Sequence, residues 1–262
     1  MTDTAPLARI DDLGDRLVVV NCNAARRGAL SPDLYAAIVQ ATDRAADPRI
    51  RALILTSEGG YFCAGGDLTV LISRRELNEN ERRARIEELH RLMRAIRACP
   101  VPVIAAVEGG AAGAGASLAL ACDLIVAAED ARFIAAYVKA GLVPDGGLTA
   151  SLARLLPRPL AMEMCLLARP VEAKRMADLG AINAVVPAGE ADAAAHALAD
   201  ALAQGPAEAQ RVIRGLVSTA YETTEAAQLD AERDAMGRAT GGAEAAEGIA
   251  AFLEKRKPVF PT

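Results

Sequence analysis

The chain has 262 residues, 52% of them apolar, a net charge of -5 and an aromatic content of 3% with no tryptophan. This length and apolar content supply a substantial core and exclude a disordered or fibrous chain. The acidic balance and the scarcity of rings argue against nucleic-acid binding, and a phosphate-bearing ligand would need a local basic patch.

The amino-terminal MTDTAPLARIDD carries acids and no long apolar run, which argues against a secretory signal, and no segment reaches membrane-spanning length. LVVVNC (Leu17 to Cys22) reads as a buried strand. SPDLYAAIVQATDRAAD then opens with a Ser cap and a Pro at the first helical position, the signature of a helix start. ALILTS (Ala52 to Ser57) is a second buried strand, followed by the glycine-rich SEGGYFCAGGDL (Ser57 to Leu68). ENERRARIEELHRLMRAIRACP spaces its apolar residues by three and four, so the mixed charges from Glu79 to Arg97 read as a solvated helix face. VIAAVEG (Val103 to Gly109) and DLIVAA (Asp123 to Ala128) are further strands, separated by a second glycine-rich loop, EGGAAGAGASLALACD (Glu108 to Asp123). Strand and helix alternate to about residue 130, which predicts an α/β fold, and the pattern after residue 146 is almost wholly helical.

Cys22, Cys63, Cys99, Cys122 and Cys165 form no CxxC pair and read as small apolar residues in a reducing compartment. His90 and His196 lack partners at ligand spacing, so no metal site is expected, and the chain reads as a cytoplasmic protein.

Each glycine-rich loop follows a strand, and each could present a free backbone N–H to an anionic oxygen. Two such donors converging on a thioester oxygen would stabilise an enolate. A tight turn with close helix packing explains either loop equally well, and neither is followed by the lysine of a phosphate-binding loop.

Taken in order, YFCAGGDL, CPVPVIAAVEGGAAGAGASLALACDLIVAAEDARF, GLVPDGG and AFLEKRKPVF resemble the enoyl-CoA hydratase/isomerase, or crotonase, superfamily, with a likeness running from about Leu17 to Phe260. The resemblance implies a crotonase-like spiral of ββα units over residues 1–189 and a helical carboxy-terminal region, 190–262, that makes homotrimers or hexamers. The ligand it implies is an acyl-coenzyme A thioester, with no cofactor beyond the CoA moiety and no membrane or nucleic-acid partner. By motif matching, the N–H groups of Gly66 and Ala114 take the two oxyanion-hole positions, and Ala114 departs from the family's usual glycine. Arg26, Arg27 and Ala29 in RRGALS, together with Ala64, Asp67 and Leu68 beside the first loop, match the strip bordering CoA. Gly28 stands in that strip where asparagine is common, and Lys255 resembles the terminal basic residue that reaches the CoA phosphate.

Hydratases of the family use two glutamates to add water, and the matching positions here hold Ser117 and Tyr137. Neither ionises readily at neutral pH. Some family isomerases carry their proton-shuttling carboxylate in the turn occupied here by VPDGG, which makes Asp145 the expected acid/base. Asp145 is also expected to cap the following helix, with Leu142 and Val143 giving it an apolar setting. The reaction expected is a shift of a double bond from 3-enoyl-CoA to 2-enoyl-CoA, as in fatty acid metabolism. The alternatives are an enoyl-CoA hydratase or lyase and a non-catalytic family member that binds CoA or RNA.

Overall fold

A strand buried on both faces needs an unbroken apolar run, and RLVVVN supplies one whose six residues are all buried. The computed structural model describes residues 5–261; the first four residues of the acidic amino-terminal stretch and Thr262 lie outside them. β1 (Ala8–Asp12) turns at Gly14 into β2 (Arg16–Asn21), followed by α1 (Pro32–Arg44) and β3 (Ala52–Ser57). Short α2 (Leu68–Ser73) and long α3 (Glu79–Ala98) lead to β4 (Val103–Val107), β5 (Gly110–Ala112) and α4 (Ala114–Ala119). Next come β6 (Leu124–Ala128), β7 (Arg132–Ile134), α5 (Leu148–Leu155), α6 (Arg158–Leu167), β8 (Val171–Glu172), α7 (Ala173–Asp178) and β9 (Ala184–Val186). The chain ends in α8 (Ala191–Ala203), α9 (Ala207–Thr219), α10 (Glu225–Thr240) and α11 (Ala243–Glu254).

The main sheet runs β1-β2-β3-β4-β6-β9, parallel throughout except for the antiparallel β1 edge, and β5-β7-β8 form a smaller sheet. The expected α/β architecture with a helical carboxy-terminal region is present. Two of the elements after residue 146 are strands rather than helix, β8 and β9; runs this short carry no readable period.

Alternate residues of the sheet feed two cores, as the two-residue period of a strand requires. Leu17, Val19, Leu53, Leu55, Val103 and Ala105 face α1 and α3 in the larger core, while Val18, Val20, Ile54 and Ile104 face the other way. The second face is covered by Ala191, Ala195 and Ala199 of α8, small residues at helical spacing that let the helix lie close to the strands. The α1 start is as expected, with the Ser31 hydroxyl accepting from the Leu34 N–H at 3.2 Å ahead of Pro32. Asn78 and Glu81 form a capping box at the start of α3, and Arg83–Glu79 and Arg85–Glu88 pairs lie on its exposed face. No helix among the described residues is long and apolar enough to cross a membrane.

Within the helical end, α9 is fastened to this core through Arg214. The carbonyls at the carboxy end of α3 have no partners within the helix. The largely buried guanidinium of Arg214 on α9 reaches over to donate to Ile96 O (2.8 Å), Arg97 O (2.9 Å) and Cys99 O. It also pairs at 2.7 Å with Asp123, whose carboxylate accepts the Val103 N–H at 2.8 Å. Replacing Arg214 by alanine leaves the Asp123 charge and three carbonyls without this partner, and should lower unfolding free energy by about 3 kcal/mol. Urea denaturation reads this directly, and a loss below about 1 kcal/mol would show that the clamp is dispensable.

Candidate active site

The two glycine-rich loops touch backbone to backbone. The Phe62 N–H donates to Glu108 O at 2.9 Å, the Ala112 N–H donates to Cys63 O at 2.9 Å, and Cys63 and Ala111 form a parallel bridge. Glycine is required where the loops cross. A Cβ at Gly65, whose φ is +89°, would lie 2.6 Å from Ala112 O and 3.1 Å from Ala114 N, and one at Gly115 would lie 2.2 Å from Cys63 O. The amides of Gly66 and Ala114 thus belong to one small region of backbone. Neither has an acceptor among the described residues: Gly66 lies outside any helix, and Ala114 is the first helical residue of α4, where a free N–H is inherent. Close packing and free donors, alternatives in the sequence, coexist here.

The RRGALS strip lies against the same loop. Ala64 N–H donates to Arg27 O at 3.0 Å and Leu30 N–H donates to Gly65 O at 2.9 Å, while the Asn21 side chain holds Gly28 O at 2.7 Å and Asn23 holds Ala29 O at 2.8 Å. Arg27 stacks on the Tyr61 ring, 4.0 Å from its centroid. Arg26 is paired with Asp67, whose carboxylate also caps α2 through the Thr69 N–H at 2.9 Å, so part of the expected basic patch is neutralised. Leu68 is exposed at the start of α2. Lys255, in the left-handed conformation at the end of α11, stands outside this hydrogen-bonded network and is exposed.

Ser117, Tyr137 and Asp145 come together from α4, from the 3-10 turn Ala136–Ala140 and from the VPDGG turn. The Tyr137 hydroxyl donates to Asp145 Oδ1 at 2.7 Å. The buried Ser117 hydroxyl lies 3.0 Å from Asp145 O and 3.2 Å from the Tyr137 oxygen. The Tyr137 ring faces Gly113, the residue before Ala114, across space that a Cβ would fill, 4.0 Å from Cε2 and Cζ. Burial, and then the Asp145 carboxylate, push the Tyr137 phenol far above its ordinary range, so it stays protonated. The turn itself is pinned at Gly146, with φ +61°, where a Cβ would lie 2.9 Å from the Ser117 Cβ and 3.2 Å from Met93 Cε.

Two expectations for Asp145 need correction. It does not cap α5: the cap position is Gly147, no side chain caps that helix, and the Asp145 carboxylate turns instead to Tyr137. Nor do Leu142 and Val143 give it a buried apolar setting, since they are 43% and 81% exposed. Its carboxylate takes its one side-chain hydrogen bond among the described residues from Tyr137. Tyr35 on α1 carries no motif in the sequence; its phenol is pushed up to about 12 by burial and then by the charge of Asp145.

Comparison with known proteins shows the family. A family model described as enoyl-CoA hydratase/isomerase matches residues 17–262. The crystal structure of an enoyl-CoA hydratase from Polaromonas sp. JS666 is 43% identical, with a TM-score of 0.93, over 97% of this chain and 99% of that one. An enoyl-CoA hydratase of Mycobacterium tuberculosis is 36% identical over 98% of this chain and 97% of its own length. The 1,2-epoxyphenylacetyl-CoA isomerase of Escherichia coli is 39% identical over 82% of each chain.

Ala114 offers a direct test of the backbone donor, because a first helical position accepts proline. Ala114→Pro, which removes the N–H, should lower turnover by about 10²-fold or more with a melting temperature near that of the parent, whereas Ala114→Gly should stay active. A folded, fully active proline variant would eliminate Ala114 as a donor.

Proposed function

Because the chain belongs to the enoyl-CoA hydratase/isomerase family, whose members are enzymes, we propose that it shifts a double bond within an acyl-CoA thioester, converting 3-enoyl-CoA to 2-enoyl-CoA. Asp145 takes the proton from C2, and the electron pair of that C–H bond spreads through the thioester onto its oxygen. The Gly66 and Ala114 N–H groups receive the resulting oxyanion. When the carbonyl re-forms, the C1–C2 π pair becomes the C2=C3 double bond, and the pair of the breaking C3=C4 double bond takes the proton back from Asp145 at C4. Water is not consumed, no redox change occurs, and no cofactor beyond the CoA moiety is called for.

The observation that supports this reading is the Asp145 carboxylate bonded to Tyr137 and tied through Ser117 to α4, the helix that begins at Ala114. The two positions where the resembling hydratases carry glutamates hold those two hydroxyls. The Polaromonas and Mycobacterium relatives, both named enoyl-CoA hydratases, favour a second reading, hydration of a 2-enoyl-CoA. Arg26, Arg27, Ala29, Ala64, Asp67 and Leu68 are proposed to border the CoA moiety, with Lys255 reaching its phosphate.

Asp145→Asn preserves size while removing the base, and should lower isomerisation of 3-enoyl thioesters by about 10²-fold or more and abolish deuterium exchange at C2. Near-normal turnover in that variant would remove Asp145 from the chemistry. An inactive variant of an enzyme whose parent chiefly hydrates 2-enoyl thioesters would keep the site and transfer the reaction to the hydratase reading.

A homotrimer or hexamer is proposed for the assembly. The helical end exposes Ile213, Val217 and Tyr221 at four-residue spacing, and Phe252, Leu253 and Val259 near the terminus, more apolar surface than scattered single residues would give. Sedimentation velocity should give a species of at least three chains, and a purely monomeric active protein would contradict this.

A further inference from the structure

Resting on the reading of Asp145 as the base, we propose that Tyr137 is a positioning residue: its hydroxyl, itself anchored by Ser117, holds Asp145 Oδ1 so that Oδ2 alone carries the proton from C2 to C4. The carboxylate has two oxygens related by rotation about one bond, and a shuttle between two carbons of the same chain works best when one oxygen keeps a fixed place over both. The 2.7 Å bond from the Tyr137 hydroxyl engages Oδ1. Two further constraints stop the pair from moving as a unit. The buried Ser117 hydroxyl reaches the Tyr137 oxygen at 3.2 Å, and it reaches Asp145 O at 3.0 Å.

The hydrogen-bond chain is also closed to proton loss. Tyr137 keeps its proton, as its burial and the adjacent carboxylate require. Beyond it lies Ser117, 1% exposed, whose other neighbours are the carbonyl oxygens of Gly113 and Asp145. A backbone carbonyl accepts a hydrogen bond but does not pass a proton onward. A proton taken by Oδ2 therefore has no exit through Oδ1; its delivery to C4 breaks the C2–H bond, forms the C4–H bond and leaves Asp145 as the carboxylate it began as.

The experiment follows 3-enoyl-CoA in deuterium oxide with the parent enzyme, Tyr137→Phe, Ser117→Ala and Asp145→Asn, reading kcat, KM and deuterium at C4 of the product. Tyr137→Phe keeps the ring and removes the hydroxyl. It should lower kcat by about 10- to 100-fold with KM changed less than about twofold, and raise the C4 label above that of the parent because the released carboxylate can rotate and exchange. Unchanged kcat, or a fall in kcat with KM rising in proportion and no added label, overturns the proposal. If Tyr137→Phe does not fold, Ser117→Ala decides: it should lower kcat by about threefold to tenfold with the same rise in label, and parental values for both overturn the proposal. Asp145→Asn separates the two claims. If it turns over normally, the base reading fails and the role of Tyr137 with it; if it is inactive while Tyr137→Phe matches the parent, only the positioning role fails.

Discussion

The site depends on a contact between two stretches of backbone. Where Gly65 meets Ala112 and Ala114, and where Gly115 meets Cys63, a single methyl group would collide with a carbonyl oxygen. That approach brings the loops after β3 and β4 together, so that each leaves an amide without a protein acceptor in the same small region. Parallel strands make this possible: β3 and β4 are neighbours in the main sheet, and the loops leave from the same ends of both. A site at the carboxy ends of adjacent parallel strands is a general outcome of such sheets. Here its donors are backbone groups, which is why alanine can stand at 114.

The acid/base side of the site is built differently, from side chains held by other side chains. Asp145 reaches its place because the VPDGG turn is pressed onto Ser117 and Met93 at Gly146, and because Tyr137 takes one carboxylate oxygen. A carboxylate held at one oxygen by a hydroxyl, with the other oxygen left free of protein partners among the described residues, suits transfer of a proton along an acyl chain. Ser117 and Tyr137 set hydroxyls, and no second carboxylate, within hydrogen-bonding distance of Asp145.

Much of the fold was legible because its signals are local. The buried runs of β2, β3, β4 and β6 are continuous in the sequence, Ser31 and Pro32 mark the start of α1, and α3 shows its apolar stripe directly. β1 was harder to see, since ARIDD is an edge strand with little apolar content, and β5, β7 and β9 are only three residues long. At the site, residue types in order pointed to Gly66, Ala114 and Asp145 and to Ser117 and Tyr137, whereas the contacts among them were hidden. The Ser117 to Asp145 contact spans 28 positions and the Arg26 to Asp67 pair spans 41, distances over which no periodicity carries information. The reading of Asp145 as a cap failed for the same reason: a local rule favoured the helix start, and a contact with Tyr137 took the carboxylate instead.

The central claim is that this site moves a proton and leaves water out, and isotopic water tests it most directly. The enzyme is given 3-enoyl-CoA and, separately, 2-enoyl-CoA in water enriched in oxygen-18, and the products are weighed by mass spectrometry with double-bond position assigned by NMR. The account predicts that 3-enoyl-CoA becomes 2-enoyl-CoA of unchanged mass, with no heavy oxygen. A dominant hydroxyacyl-CoA heavier by one molecule of labelled water, from either substrate, would contradict it.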